Sequence, residues 1–147
     1  MKFCVIGAGR MGSIHAANIA VSDRVELAYI VDSDRSRAET LARRYGSLAV
    51  TSTEEPLSNP DIEAVVIASV TDTHADLIEA SVKAGKAIFC EKPIDLSLER
   101  VKACERTIKG FGLPLMIGFH RRFDDTHKAV RQAIEAGEIG SVESISI

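Results

Sequence analysis

Two short stretches and one separate acid hold residue types that can do chemistry. Gly7-Ala8-Gly9-Arg10-Met11-Gly12 fits the pattern G-x-G-x-x-G. It directly follows an apolar run over residues 3–6 and opens a helical pattern. Asp32 stands at the end of the next apolar run, about 20 residues past Gly12, which is the context this motif requires. Gly7 permits a tight turn, Gly9 lets backbone approach a pyrophosphate, and Gly12 lets helix and strand pack closely. The helix start then offers unpaired N–H groups and a partial positive charge to phosphates. A carboxylate at Asp32 accepts hydrogen bonds from both hydroxyls of an adenosine ribose and repels a 2′-phosphate, so NAD is expected over NADP. Arg35 and Arg37 are the residues that could reach a 2′-phosphate, although a solvated helix start explains them more simply.

The second stretch is Glu91-Lys92-Pro93, which leaves the apolar run 87–90 abruptly. Folding alone does not call for an acid, a base and a proline at the end of a buried strand. Read in isolation, Lys92 is a solvated loop lysine.

These residues need elements to position them. Residues 3–6, 25–31, 64–68, 87–90 and 115–117 read as strands, with 48–51 a weaker one. They are continuous apolar runs, as in a parallel sheet covered on both faces. Helical patterns over 11–20, 36–45, 73–84 and 97–109 lie between them, three of them followed by glycine stops. This alternation predicts an α/β fold, a doubly wound, mostly parallel Rossmann sheet with helices on both faces. A last helix is expected over 124–137, with Asp124 as its N-cap. Residues 141–147 read as a strand. The expected domain division is therefore 1–140 for the dinucleotide-binding unit and 141–147 for the first strand of a second domain.

Composition excludes other classes. The 147 residues are 46% hydrophobic and 27% charged, with 18 bases, 21 acids and a net charge of −3. No basic excess is present to neutralise nucleic-acid phosphates. No apolar run approaches the ~20 residues of a membrane span. Cys4, Cys90 and Cys104 are odd in number and show no C-x-x-C spacing. They argue against a disulfide framework or zinc site, and for buried thiols in a reducing cytoplasm.

The cradle, Asp32, the segment Ala68-Ser69-Val70-Thr71-Asp72-Thr73-His74, Glu91-Lys92-Pro93 and Gly118-Phe119-His120-Arg121-Arg122-Phe123-Asp124 occur in this order. Together they resemble the cofactor domain of the Gfo/Idh/MocA oxidoreductases, and within them the inositol 2-dehydrogenases and related polyol dehydrogenases. The resemblance covers essentially the whole chain. It implies NAD as cofactor and hydride transfer with a sugar or polyol hydroxyl. It also implies that Lys92 is catalytic, facing nicotinamide and substrate, with Glu91 at the nicotinamide ribose and Pro93, often cis, fixing the turn. Gly7, Gly9, Arg10, Met11, Gly12, Asp32, Ser69, Thr71, His74, Glu91, Lys92 and Arg121 form the expected cofactor-binding set. For His74 a capping or surface role competes with cofactor contact. One of Arg121 and Arg122 is expected at the nicotinamide or substrate, the other as an anchor to Asp124 or Asp125. His120 and Asp125 depart from the Asn and Pro often found there, which leaves the substrate open. The resemblance further implies a second, mostly β domain that supplies a D-x-x-x-H pair and homo-oligomerisation. Asp124 and His127 only echo that pair, being on the connecting helix. The competing reading is a catalytically incomplete NAD-binding or sensing module.

Overall fold

The chain folds around one six-stranded sheet whose observed strand pairings are all parallel, in the order β3-β2-β1-β4-β5-β6. The computed structural model describes residues 1–146. The strands are β1 (Lys2–Ile6), β2 (Glu26–Val31), β3 (Leu48–Val50), β4 (Ile62–Ile67), β5 (Ala87–Cys90) and β6 (Leu115–Ile117). The order reverses direction between β1 and β4, which opens the crevice where such sheets bind dinucleotides. The helices are α1 (Arg10–Ala20), α2 (Arg35–Tyr45), α3 (Glu54–Ser58), α4 (His74–Lys83), α5 (Leu98–Ile108) and α6 (Asp125–Glu135).

Side-chain alternation along the strands makes two cores. Val5, Ile30 and Val66 point to one face and pack with Ala16 and Ile19 of α1 and Ala38, Leu41 and Ala42 of α2. Cys4, Ile6, Val65, Ile67, Ile88 and Cys90 point to the other face, with Ala75, Ile78 and Val82 of α4 and Cys104 of α5. Both faces are therefore buried, and the strands carry no polar alternation. Helix ends follow local chemistry. Asp34 caps α2 by accepting from the N–H groups of Ser36 and Arg37 at 2.9 and 3.2 Å. Gly46 ends it in the left-handed conformation (φ 71°) that a side chain disfavours. On the second face the Arg100 guanidinium of α5 donates to both Glu79 and Asp76 of α4, tying the two helices together.

The three cysteines are free and buried. Burial pushes the Cys4 and Cys90 thiols up to about 12, and that of Cys104 upward as well. They pack as small hydrophobes, as their apolar surroundings in the sequence imply. Among the described residues, no helix is long and apolar enough to cross a membrane.

The structure corrects the expected elements in three places. β4 starts at Ile62 rather than residue 64, because Ile62 is itself buried ahead of the exposed Glu63. The short α3 was not foreseen; it contains Pro56 and is only 5 residues long, too short for a periodic pattern. Residues 141–146 form no strand and are exposed, contrary to the expected strand over 141–147, whose last residue lies outside the described ones. A strand forms only where a neighbour accepts its backbone hydrogen bonds, and none of the paired strands does so here.

Ile30 sits at the middle of the first core with 0% exposure. Ile30→Ala is expected to lower stability by about 2–5 kcal/mol in a denaturant melt. A loss below about 1 kcal/mol would show that this core repacks freely.

Candidate functional site

The carboxyl ends of the strands are in register. Ile6 pairs with Val31 and Ile67, Ile67 with Cys90, and Cys90 with Ile117. The backbone ladder continues one residue further. Gly7 donates to Val31, Ala68 to Ile6, Glu91 to Ile67 and Gly118 to Cys90, at 2.7, 2.8, 2.9 and 2.8 Å. The turns after β1, β4, β5 and β6 thus leave the sheet side by side. This places the glycine loop, Ser69, Glu91-Lys92 and the Arg121-Arg122 segment along one rim.

Each glycine of the loop has its own physical reason. Gly7 adopts φ 102°, and a Cβ there would lie 2.5 Å from the Ala68 carbonyl oxygen. At Gly12 a Cβ would lie 1.7 Å from the Gly7 carbonyl oxygen, so this glycine lets α1 close against the loop. A Cβ on Gly9 would meet nothing within 4 Å. Protein packing therefore does not need a glycine at 9, whereas backbone approach by a ligand does. Ser13 makes the first bond inside α1, to the Gly9 carbonyl at 2.9 Å. The preceding N–H groups of Arg10, Met11 and Gly12 have no helical carbonyl to meet and face the loop opening. Arg10 and Met11 are exposed there.

Asp32 does two jobs. Its Oδ2 accepts the Ala8 N–H at 2.7 Å and its Oδ1 accepts the Asp34 N–H at 2.9 Å. These bonds pin the glycine loop to the end of β2. Each oxygen keeps a further lone pair, which suits a pair of ribose hydroxyls. Arg37 turns toward Asp34 at 3.4 Å and Arg35 toward Glu39 at 3.4 Å, so both have surface partners.

Glu91 is buried, and its Oε1 meets His15 Nε2 at 2.8 Å. The His15 ring packs edge-on against Phe89. A Cβ on Gly118 would stand 3.1 Å from Glu91 Oε2 and 3.2 Å from the Phe89 ring. His15 and Gly118 therefore shape the Glu91 site, and neither was singled out from the sequence. His15 had no local signal, because its partner is 76 residues away. Gly118 was noted only as part of a motif.

Lys92 is exposed and enters no ion pair among the described residues. The Lys92–Pro93 peptide is cis. Lys92 borders a cleft of about 910 Å³ shared with Phe119, His120, Arg121 and Arg122, and with His127, Lys128, Arg131, Gln132 and Glu135 of α6. Arg121 and Arg122 thus share one cleft with Lys92. Arg121 is the anchor of the two, 3.7 Å from Asp124, but it is 66% exposed and loosely held. Asp124 caps α6 as expected, accepting the His127 N–H at 3.0 Å and facing its Nδ1 at 2.8 Å. Those two bonds from His127 lower the Asp124 carboxyl from 3.8 to about 2.

Ser69 and Thr71 lie in the turn after β4, where Thr71–Thr73 form a 3-10 turn. The Ser69 hydroxyl shares a hydrogen bond of 2.7 Å with Thr73. His74 is a correction to the expected cofactor set. Its ring is 1% exposed, with Nδ1 2.7 Å from the Pro93 carbonyl and Nε2 3.1 Å from the Ser69 carbonyl. Neither nitrogen is left to meet a ligand, so the ring lies beneath the site rather than on it. Among the described residues no cluster could hold a metal ion.

Comparison with known proteins identifies this arrangement. Residues 1–119 match the Gfo/Idh/MocA model, described as an oxidoreductase family with an NAD-binding Rossmann fold. The chain belongs to this family. It is 46% identical over 147 residues to inositol 2-dehydrogenase of Rhizobium meliloti (strain 1021), covering 100% of this chain and 44% of that protein. It is 40% identical over 144 residues to the scyllo-inositol 2-dehydrogenase (NAD(+)) of Bacillus subtilis (strain 168), covering 95% and 42%. The crystal structure of scyllo-inositol dehydrogenase from Lactobacillus casei with bound NAD(H) and scyllo-inositol superposes with a TM-score of 0.89. Identity there is 32%, over 96% of this chain and 42% of that one. The chain thus spans less than half the length of these relatives. The Rossmann fold and the family are those the sequence motifs implied.

The two loop glycines separate folding from binding. Gly7→Ala is expected to cost at least about 1–3 kcal/mol of stability through its positive φ and the Ala68 clash. Gly9→Ala is expected to leave the melting temperature unchanged and weaken dinucleotide binding by about tenfold or more, read by NADH titration. The α6 cap gives a pH prediction. Asp124 has a lowered folded-state value, so its stabilisation is present above 3.8 and is lost as pH falls toward about 2. Protection of the His127 amide, its exchange rate corrected for the intrinsic rate at each pH, is expected to fall over that window, and Asp124→Asn to abolish that fall.

Proposed function

We propose that this chain is the cofactor-binding part of an NAD-dependent dehydrogenase acting on an inositol-like polyol or sugar hydroxyl. The observation that carries the reading is the placement of Lys92 on the same strand-end rim as the phosphate cradle, with its ammonium exposed to a large cleft. Support for the substrate class comes from relatives named as inositol dehydrogenases.

The cofactor fits the residues present. The loop amides and the α1 start receive the pyrophosphate, the space beside Gly9 admits it, and Asp32 receives the adenosine ribose. Glu91, held by His15, faces the nicotinamide ribose, with Ser69 and Thr71 at the neighbouring turn. When bound, NAD supplies the acceptor for the hydride. Lys92 does the chain's own chemistry. Its Nζ donates a hydrogen bond to the substrate hydroxyl oxygen and stabilises the negative charge that grows as the O–H proton leaves. Arg121 and Arg122 line the substrate side. The proton acceptor belongs to the rest of the catalytic unit, so residues 1–147 alone bind dinucleotide without turnover. On this reading residues 1–140 form the cofactor unit, and 141–147 lead into a substrate domain.

Two further parts of the reading concern the cellular protein. The free, buried cysteines support a reducing cytoplasmic setting. The exposed apolar residues Val130, Ile139, Val142 and Ile145 support a homo-oligomer.

The test is titration with NADH and NADPH, followed by nicotinamide fluorescence. NADH is expected to bind and NADPH to bind at least about tenfold more weakly. Asp32→Ala should shrink that ratio, whatever it does to absolute affinity through the Ala8 bond. Lys92→Ala should keep NADH affinity within about threefold, and abolish polyol-dependent NAD reduction in the complete enzyme. Binding of neither dinucleotide sinks the proposal, and equal binding of both sinks the role of Asp32.

A further inference from the structure

We propose that His74 is a positioning residue that sets Lys92 against the nicotinamide side of the site. The proposal rests on the cofactor reading above and assigns the ring a role that reading does not contain. His74 begins α4, and its ring is 1% exposed. Its Nδ1 lies 2.7 Å from the carbonyl oxygen of Pro93, the residue directly after Lys92. Its Nε2 lies 3.1 Å from the carbonyl oxygen of Ser69, in the turn after β4. One side chain therefore spans the two turns that flank the nicotinamide position.

The chemistry of those contacts is specific. Carbonyl oxygens only accept, so each bond must be donated by a ring N–H. A neutral ring donates to one of the two carbonyls and a doubly protonated ring to both. Each bond ties its turn to a buried ring, so the ring decides how firmly each turn is held. The strand ladder cannot do this for Lys92. It ends at the Glu91 N–H, which donates to Ile67 at 2.9 Å. Glu91 is further held through its side chain by His15 and through its carbonyl by the Cys90 thiol, and the anchor on the far side of Lys92 is the Pro93 carbonyl on His74. Lys92 is thus fixed from both sides, by the sheet before it and by His74 after it. Its side chain stays exposed and free to act.

The test compares NADH with ADP-ribose, which keeps the pyrophosphate and adenosine and lacks nicotinamide. Three variants separate the two bonds. His74→Leu removes both donors. The Asn amide of His74→Asn reaches where Nδ1 stood and can donate to Pro93. The Gln amide of His74→Gln reaches where Nε2 stood and can donate to Ser69. His74→Leu is expected to leave ADP-ribose and NADH affinity within about threefold and to lower polyol-dependent NAD reduction by the complete enzyme about tenfold, and His74→Asn to recover that rate better than His74→Gln. A purely structural role would lower both ligands together and would show no difference between Asn and Gln; either result overturns the proposal. If the leucine variant does not fold, the Asn–Gln comparison alone decides. Hydrogen exchange at the Lys92 and Ile94 amides of the ligand-free protein gives an independent readout. It should be faster in His74→Gln than in the parent and restored in His74→Asn. Unchanged exchange overturns the clamp even if dinucleotide binds. Normal clamp behaviour without dinucleotide binding by the parent protein would instead overturn the functional reading.

Discussion

The common register of the strand ends is the constraint on which the site depends. Parallel strands hydrogen-bond at a fixed slant, so pairing Ile6 with both Val31 and Ile67 leaves no freedom in where their successors emerge. Extending the ladder by one residue, at Gly7, Ala68, Glu91 and Gly118, brings turns from distant parts of the chain onto one line. Apolar burial on both faces holds this line rigid. Gly7 is required by the backbone there, while other residues of the rim can be polar or charged because the core beneath carries the fold. Gly9 illustrates the division, since none of the described residues fills the space beside it.

Polar groups near that line work in pairs, and one member of each pair has a packing role. Asp32 ties down Ala8 and Asp34 while keeping lone pairs outward. Glu91 is held by His15 and crowded by Gly118. Lys92 stands apart because its terminal charge has no ion-pair partner among the described residues. A buried carboxylate with a hydrogen-bonding neighbour keeps its orientation, whereas an exposed ammonium adapts to what approaches. The rim thus combines fixed acceptors with one adaptable donor.

Much of this was legible in the sequence because it is local. The glycine motif, the acid after the second strand and the continuous apolar runs carry their meaning within a few residues of themselves. The cap at Asp124 did so as well. What could not be read were relations across the fold. His15 looked like any helix residue until Glu91 met it. His74 lay in a recognisable segment, yet its sequence neighbours did not reveal that Pro93 and Ser69 would occupy both ring nitrogens. The run from Ser141 had strand-like composition, but pairing requires a neighbour, and composition does not supply one. α3 was too short to show a period and carries a proline that argues against a helix interior.

The buried thiols have a practical consequence. Only thiolates react readily with electrophiles, and burial keeps Cys4, Cys90 and Cys104 protonated and out of reach near neutral pH. A cysteine engineered onto the exposed rim, for example in place of Met11, would be the one accessible thiol among the described residues. A maleimide dye would then attach at a single known point without removal of any native cysteine. An environment-sensitive dye at that point would report what reaches the glycine loop in the otherwise native protein.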